Sequence, residues 1–75
     1  MDNIITDTII KVRSKTTGKV YSAHYVVEKP AGEYGMVWAW IRIDTLFGIF
    51  LEAYRPTILE ATDGLRAKMT NWERA

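Results

Sequence analysis

Four stretches of this sequence alternate between two sets of side chains with a period of two residues, and only the last stretch changes to the longer period of a helix. That one change of rhythm limits the chain to a sheet followed by a helix. In 6–14, Thr8, Ile10 and Val12 point one way and Asp7, Ile9, Lys11 and Arg13 the other. Residues 15–19 read as a turn, with Gly18 free to take positive φ. In 20–27, Tyr21, Ala23, Tyr25 and Val27 share one face, and Val20, Ser22, His24 and Val26 the other. Pro30 and the glycines at 32 and 35 mark a loop over 29–35. In 36–44, Val37, Ala39, Ile41 and Ile43 form an aliphatic face, opposed by Met36, Trp38, Trp40 and Arg42. Residues 44–48 read as a tight connection, although Leu46 and Phe47 would equally continue a strand. A fourth strand, 49–54, sets Ile49, Leu51 and Ala53 against Phe50, Glu52 and Tyr54.

The final stretch carries helix signals. Thr57 followed by Glu60 matches a capping box, and Pro56 suits an extended entry. Ile58, Thr62, Leu65, Met69 and Trp72 recur at helical spacing, with Ala61 beside them. Arg66, Lys68 and Arg74 lie toward the C-terminal end, where the helix dipole favours cations. Gly64 mid-helix costs about 1 kcal/mol against Ala; it either lets the helix approach the sheet closely or marks a bend. The expectation is an α+β fold of one domain over 1–75. A β-hairpin occupies 4–28, two strands occupy 36–54, and the helix occupies 57–73. The order is β-β-β-β-α, an antiparallel sheet of three to four strands with the C-terminal helix packed on one face.

Composition narrows the chemistry. A 75-residue chain has room for one domain with a thin stability margin. With no cysteine and a single histidine, disulfides, thiol catalysis and Cys- or His-rich metal sites are absent. No metal and no cofactor is expected. Dense aromatic packing or oligomerisation is left as the staple, and 12% aromatic residues makes the first feasible. The net charge of +1 is far from the basic excess of a dedicated duplex-DNA binder. The start Met1-Asp2-Asn3 is not a basic leader, and the longest apolar runs, 36–41 and 46–51, are too short to span a bilayer. A cytoplasmic location without membrane contact is the expectation.

One surface is wrong for an isolated monomer. A single helix covers one face of a small sheet, and the aliphatic face is its natural partner, through Ile58, Leu65 and Met69. Trp38, Trp40, Phe50 and Tyr54 are then left on the other side, with Arg42 and Glu52 among them. A wet sheet face is ordinarily polar, and exposed aromatic area on a small protein marks an interaction site. A strongly curled sheet would instead fold over and turn the Trp pair into core.

Other chemistry is weak. His24 shares a face with Ser22, but no carboxylate has a predictable position to orient it and no nucleophile elbow is present. The acids Glu28, Glu33, Asp44, Glu52, Glu60 and Asp63 are scattered, and match no EF-hand or zinc spacing. Residues 15–19 lack the Gly-x-x-x-x-Gly-Lys pattern of a phosphate loop. Lys11, Arg13, Lys15 and Lys19 cluster on the first hairpin. With Tyr21 and Tyr25 nearby, they offer a groove for phosphates and stacked bases; otherwise they form a solvated hairpin tip.

Several strands followed by a helix opening Thr57-x-x-Glu60-Ala61 resembles small sheet-plus-helix modules, including phage-integrase arm-binding domains and HicB-like antitoxin domains. The likeness covers one short motif that is also a generic capping box, and no functional residue carries over from it.

The expected function is therefore that of a small non-catalytic interaction protein. Trp38, Trp40, Phe50 and Tyr54 would form the contact and Arg42 its rim, for homodimerisation or for docking on a larger protein and inhibiting it. Accessory chains of this size are frequent in phages and mobile elements. The alternative is a nucleic-acid-binding module using Lys11, Arg13, Lys15, Lys19, Tyr21 and Tyr25. No enzyme activity and no small-molecule substrate are expected, since the chain has little room for a closed pocket beside its core.

Overall fold

The computed structural model describes residues 3–32 and 35–75. The elements run β1 (Asn3–Ser14), β2 (Val20–Lys29), β3 (Val37–Ile43), β4 (Ile49–Arg55), α1 (Ile58–Lys68) and β5 (Trp72–Arg74). The strands form one antiparallel sheet in the order β4-β3-β2-β1-β5. The α+β class and the face assignments in β1 to β4 follow the alternation of the sequence. Of the expected loop, Glu33 and Tyr34 lie outside the described residues. The connection at 44–48 is a turn, so Leu46 and Phe47 do not extend a strand; both side chains stand in solvent.

Two expectations are corrected. The sheet has five strands rather than three or four, and the helix stops at Lys68 instead of reaching residue 73. The spacing of Leu65, Met69 and Trp72 is helical, so periodicity alone carries the helix on. Tertiary partners decide otherwise. The Met69 amide closes the helix on the Arg66 carbonyl, and the Trp72 amide donates to the Met69 carbonyl. The chain then lies along the end of β1, pairing Ser14 with Trp72, Arg13 with Glu73 and Val12 with Arg74. Trp72 packs edge-on against Tyr21, with ring centroids 6.0 Å apart. These hydrogen bonds and the half-buried ring offset what the lost helical turn would supply, since propensity is a weak term against packing.

The helix forms where its cap is. The Thr57 side-chain oxygen accepts from the Glu60 amide at 3.1 Å, and the Thr57 hydroxyl donates to the Glu60 carboxylate at 3.1 Å. Ala61 and Leu65 are its buried residues, whereas Ile58, expected in the core, is half exposed. α1 rests on β4 and β3. A Cβ added to Gly64 would sit 3.1 Å from the Ala53 Cβ, tighter than ordinary contact. Gly64 is therefore the point of close approach and not a bend.

Under the helix lies the core: Val12, Ala23, Val27, Val37, Ala39, Ile41, Ile43 and Ala53 from the sheet, with Ala61 and Leu65 above. Each is 2% exposed or less. A fully buried Ile, Leu or Val contributes about 1.5–3 kcal/mol relative to exposure, so this layer carries most of the fold. The hairpin joining β1 to β2 closes by the Ser14 amide donating to the Lys19 carbonyl and the Gly18 amide to the Ser14 carbonyl, with Gly18 at φ 76°.

Candidate functional site: the open face of the sheet

The face turned away from α1 is organised in rows by strand register. Tyr54, Trp38, Glu28 and Ile4 form one row, and Glu52, Trp40, Val26 and Asp7 the next. Phe50, Arg42, His24 and Ile9 form a third, followed by Ser22 beside Lys11 and Val20 beside Arg13. Among the described residues neither α1 nor any strand lies over these rows. The expected quartet Trp38, Trp40, Phe50 and Tyr54 is thus brought together on one surface, with Arg42 inside it.

The rings pack on each other. Trp40 stands 5.9 Å from Trp38, 5.7 Å from Phe50 and 5.1 Å from the His24 ring, all tilted or edge-on. Such pairs are worth about 0.5–1.5 kcal/mol beyond area burial. Both indole N–H groups are satisfied within the face. Trp38 Nε1 donates to Glu52 Oε1 and Trp40 Nε1 to Glu28 Oε2, each at 3.0 Å. His24 Nε2 and Asp7 Oδ1 are 2.6 Å apart, and Lys11 Nζ donates to Ser22 Oγ at 2.8 Å.

Burial grades across this surface. Val26 and Glu28 lie beneath the rings and are sealed, Trp38 and Trp40 are half-buried, and Phe50 is 48% exposed. The Trp pair is therefore neither free in water nor part of the core under the helix. It forms a second layer whose outer side has no cover among the described residues.

Charge along the strands is uneven, with Asp44 and Glu73 standing beside the cations at one end. Arg42, Lys11 and Arg13 occupy the end of the face toward the β1–β2 turn. Asp7, Glu28 and Glu52 occupy the middle and the opposite end. The ion pairs touching this set are loose and exposed: Arg42 with Asp44 at 4.0 Å and Arg13 with Glu73 at 3.9 Å. Exposed pairs of that kind contribute little, roughly 0–1 kcal/mol.

The residues of the nucleic-acid alternative are not brought together. Lys11 and Arg13 lie on the open face, but Tyr21 and Tyr25 point to the other side and pack against the core. Register makes this unavoidable, because Tyr21 pairs with Val12 and not with Lys11. Lys15 and Lys19 sit at the turn and are exposed. His24 is held by Asp7, a partner that the sequence reading missed because it comes from the register of β1 against β2. Among the described residues no group of three His, Asp or Glu side chains gathers as a metal site would require. Among the same described residues no helix is long and apolar enough to cross a membrane.

No protein-family model, curated protein or solved structure matches this chain.

Proposed function

We propose that this chain is a small non-catalytic interaction protein whose open sheet face packs against a second copy of itself. The observation that carries the reading is a layer of aromatic rings on the face opposite the helix, held in place before any partner arrives. Trp38 and Trp40 are fixed by Glu52 and Glu28 and by each other. Rigid, pre-oriented aromatics lose little conformational freedom on binding, and Trp and Arg dominate interface energetics.

Charge favours a second copy as the occupant. Two such faces stacked about a two-fold axis lying across the strands would run antiparallel to one another. The cations at one end (Arg42, Lys11, Arg13) would then lie over the exposed carboxylates of the other copy (Asp7, Glu52). The aromatic rows would meet in the middle, about 10 Å apart sheet to sheet. The same acids weigh against single-stranded nucleic acid on this face, because a phosphate chain crossing the rings would pass over two exposed carboxylates, Asp7 and Glu52.

Sedimentation of the protein over a range of concentrations tests this. The mass is expected to rise from 8.6 kDa toward twice that value, and to fall back with added salt as the charged ends are screened. Arg42→Glu should weaken association, and Trp38→Ala with Trp40→Ala should abolish it while unfolding stays cooperative. A mass fixed at the monomer value up to about 1 mM, where association is worth only about 4 kcal/mol, would overturn self-association and leave the face to a different protein.

A further inference from the structure

On the helix side of the sheet, α1 rests on β4 and β3 and leaves part of β1 and β2 uncovered. The strip between α1 and β5 is an open cleft of about 200 Å³. Its floor is apolar: Ile10, Tyr25 and Ile41 come from three adjacent strands, and Leu65 and Met69 rise beside them. Two arginines line it from opposite sides, Arg66 on the helix and Arg74 on β5. Arg66 reaches Asp63 at 3.3 Å on the exposed side of the helix, whereas Arg74 makes no ion pair among the described residues. The Tyr25 hydroxyl likewise has no hydrogen bond among them. Burial pushes its phenol up and the Arg66 charge pulls it back, so at neutral pH it is a proton donor near a cation.

We propose that this cleft binds a small organic carboxylate with a short aliphatic or aromatic body. Arginine presents a planar fork that matches a carboxylate in two parallel hydrogen bonds. The Arg66 and Arg74 side chains and the Tyr25 hydroxyl supply donors for the anionic head. Ile10, Ile41 and Leu65 supply the surface for the carbon body, which an inorganic anion or a sugar phosphate would leave unfilled. The volume equals that of roughly seven water molecules and lies below that of a drug-sized site, which limits the body to a single ring or a short chain. The ligand is held and not transformed: Thr62, the one hydroxyl of an alcohol type in the lining, donates to the Ile58 and Leu59 carbonyls at 2.9 and 3.0 Å.

Titration of the isotope-labelled protein with hexanoate and with benzoate, followed by amide shifts in NMR, tests the site. Hexylammonium and inorganic phosphate serve as controls. Both carboxylates should give saturable shifts at Tyr25, Leu65, Met69 and Arg74 and leave the Trp38 and Trp40 indole signals in place, which separates this site from the open face. Arg74→Ala and Arg66→Gln, both at exposed positions, should each weaken binding at least tenfold with the spectrum otherwise retained. The proposal is overturned by non-saturable shifts, by equal binding of hexylammonium or phosphate, by shifts centred on the indoles, or by unchanged affinity in both arginine variants.

Discussion

The two sides of this sheet are made by the same four long strands and end up as different objects. On the helix side the residues nearest α1 are small or β-branched: Ala39 and Ala53 sit side by side in register, and Gly64 comes down on Ala53. On the far side the same strands carry Trp38, Trp40, Phe50 and Tyr54. A helix can close on alanines and exclude water; it could not approach a layer of indoles so nearly. Side-chain size therefore selects which side the helix takes, and what remains is a ring layer whose indole N–H groups are satisfied and whose outer side has no cover among the described residues. Two apolar faces on one sheet are thus not equivalent: one is closed by the helix, and the other is the face we propose meets a second copy.

Substitutions on the two sides should separate accordingly. Leu65→Ala removes the centre of the sealed side and should lower unfolding free energy by about 2–5 kcal/mol in chemical denaturation. The pair Trp38→Ala and Trp40→Ala should remove self-association while unfolding stays cooperative, at a cost of about 2–5 kcal/mol comparable to Leu65→Ala, since Glu28 loses its indole partner; a double variant that fails to fold would erase the distinction between the sides. Gly64→Val must push α1 off β4, and a loss of about 1–3 kcal/mol is expected in chemical denaturation too. Thr57→Ala unties the helix start and should lower stability by about 1 kcal/mol. The smallest effect is at alkaline pH. Burial raises the Tyr25 phenol in the folded state, whereas the unfolded chain ionises at its ordinary value near 10. The stability it contributes is whole below that value and is lost as pH rises through the folded one. Tyr25→Phe should flatten the decline measured above about pH 10.

How much of this was legible in the sequence differs by side too. Period-two alternation carries the faces of β1 to β4, and with them the aromatic quartet, because register cannot slip by one residue without exposing the aliphatic set. The Thr57–Glu60 cap is equally local. β5 was not legible: three residues give no period, and Trp72 falls at helical spacing from Met69 and Leu65. Closeness along the hairpin groups Tyr21 and Tyr25 with Lys11 and Arg13, whereas alternation sets the two pairs on opposite faces. The indole-to-carboxylate bonds depend on which residues meet across strands. Glu28 and Trp40 are brought within reach only by the pairing of β2 with β3, and no spacing in the chain announces it.

The central claim concerns three tryptophans, two of which lie on the open face and one beside the helix-side core. Their indole N–H signals can be followed by NMR as protein concentration rises. Trp38 and Trp40 are predicted to shift and broaden together while Trp72 stays fixed. If all three remain unmoved over the whole range, or if Trp72 moves with the others, the aromatic layer is not where two copies meet.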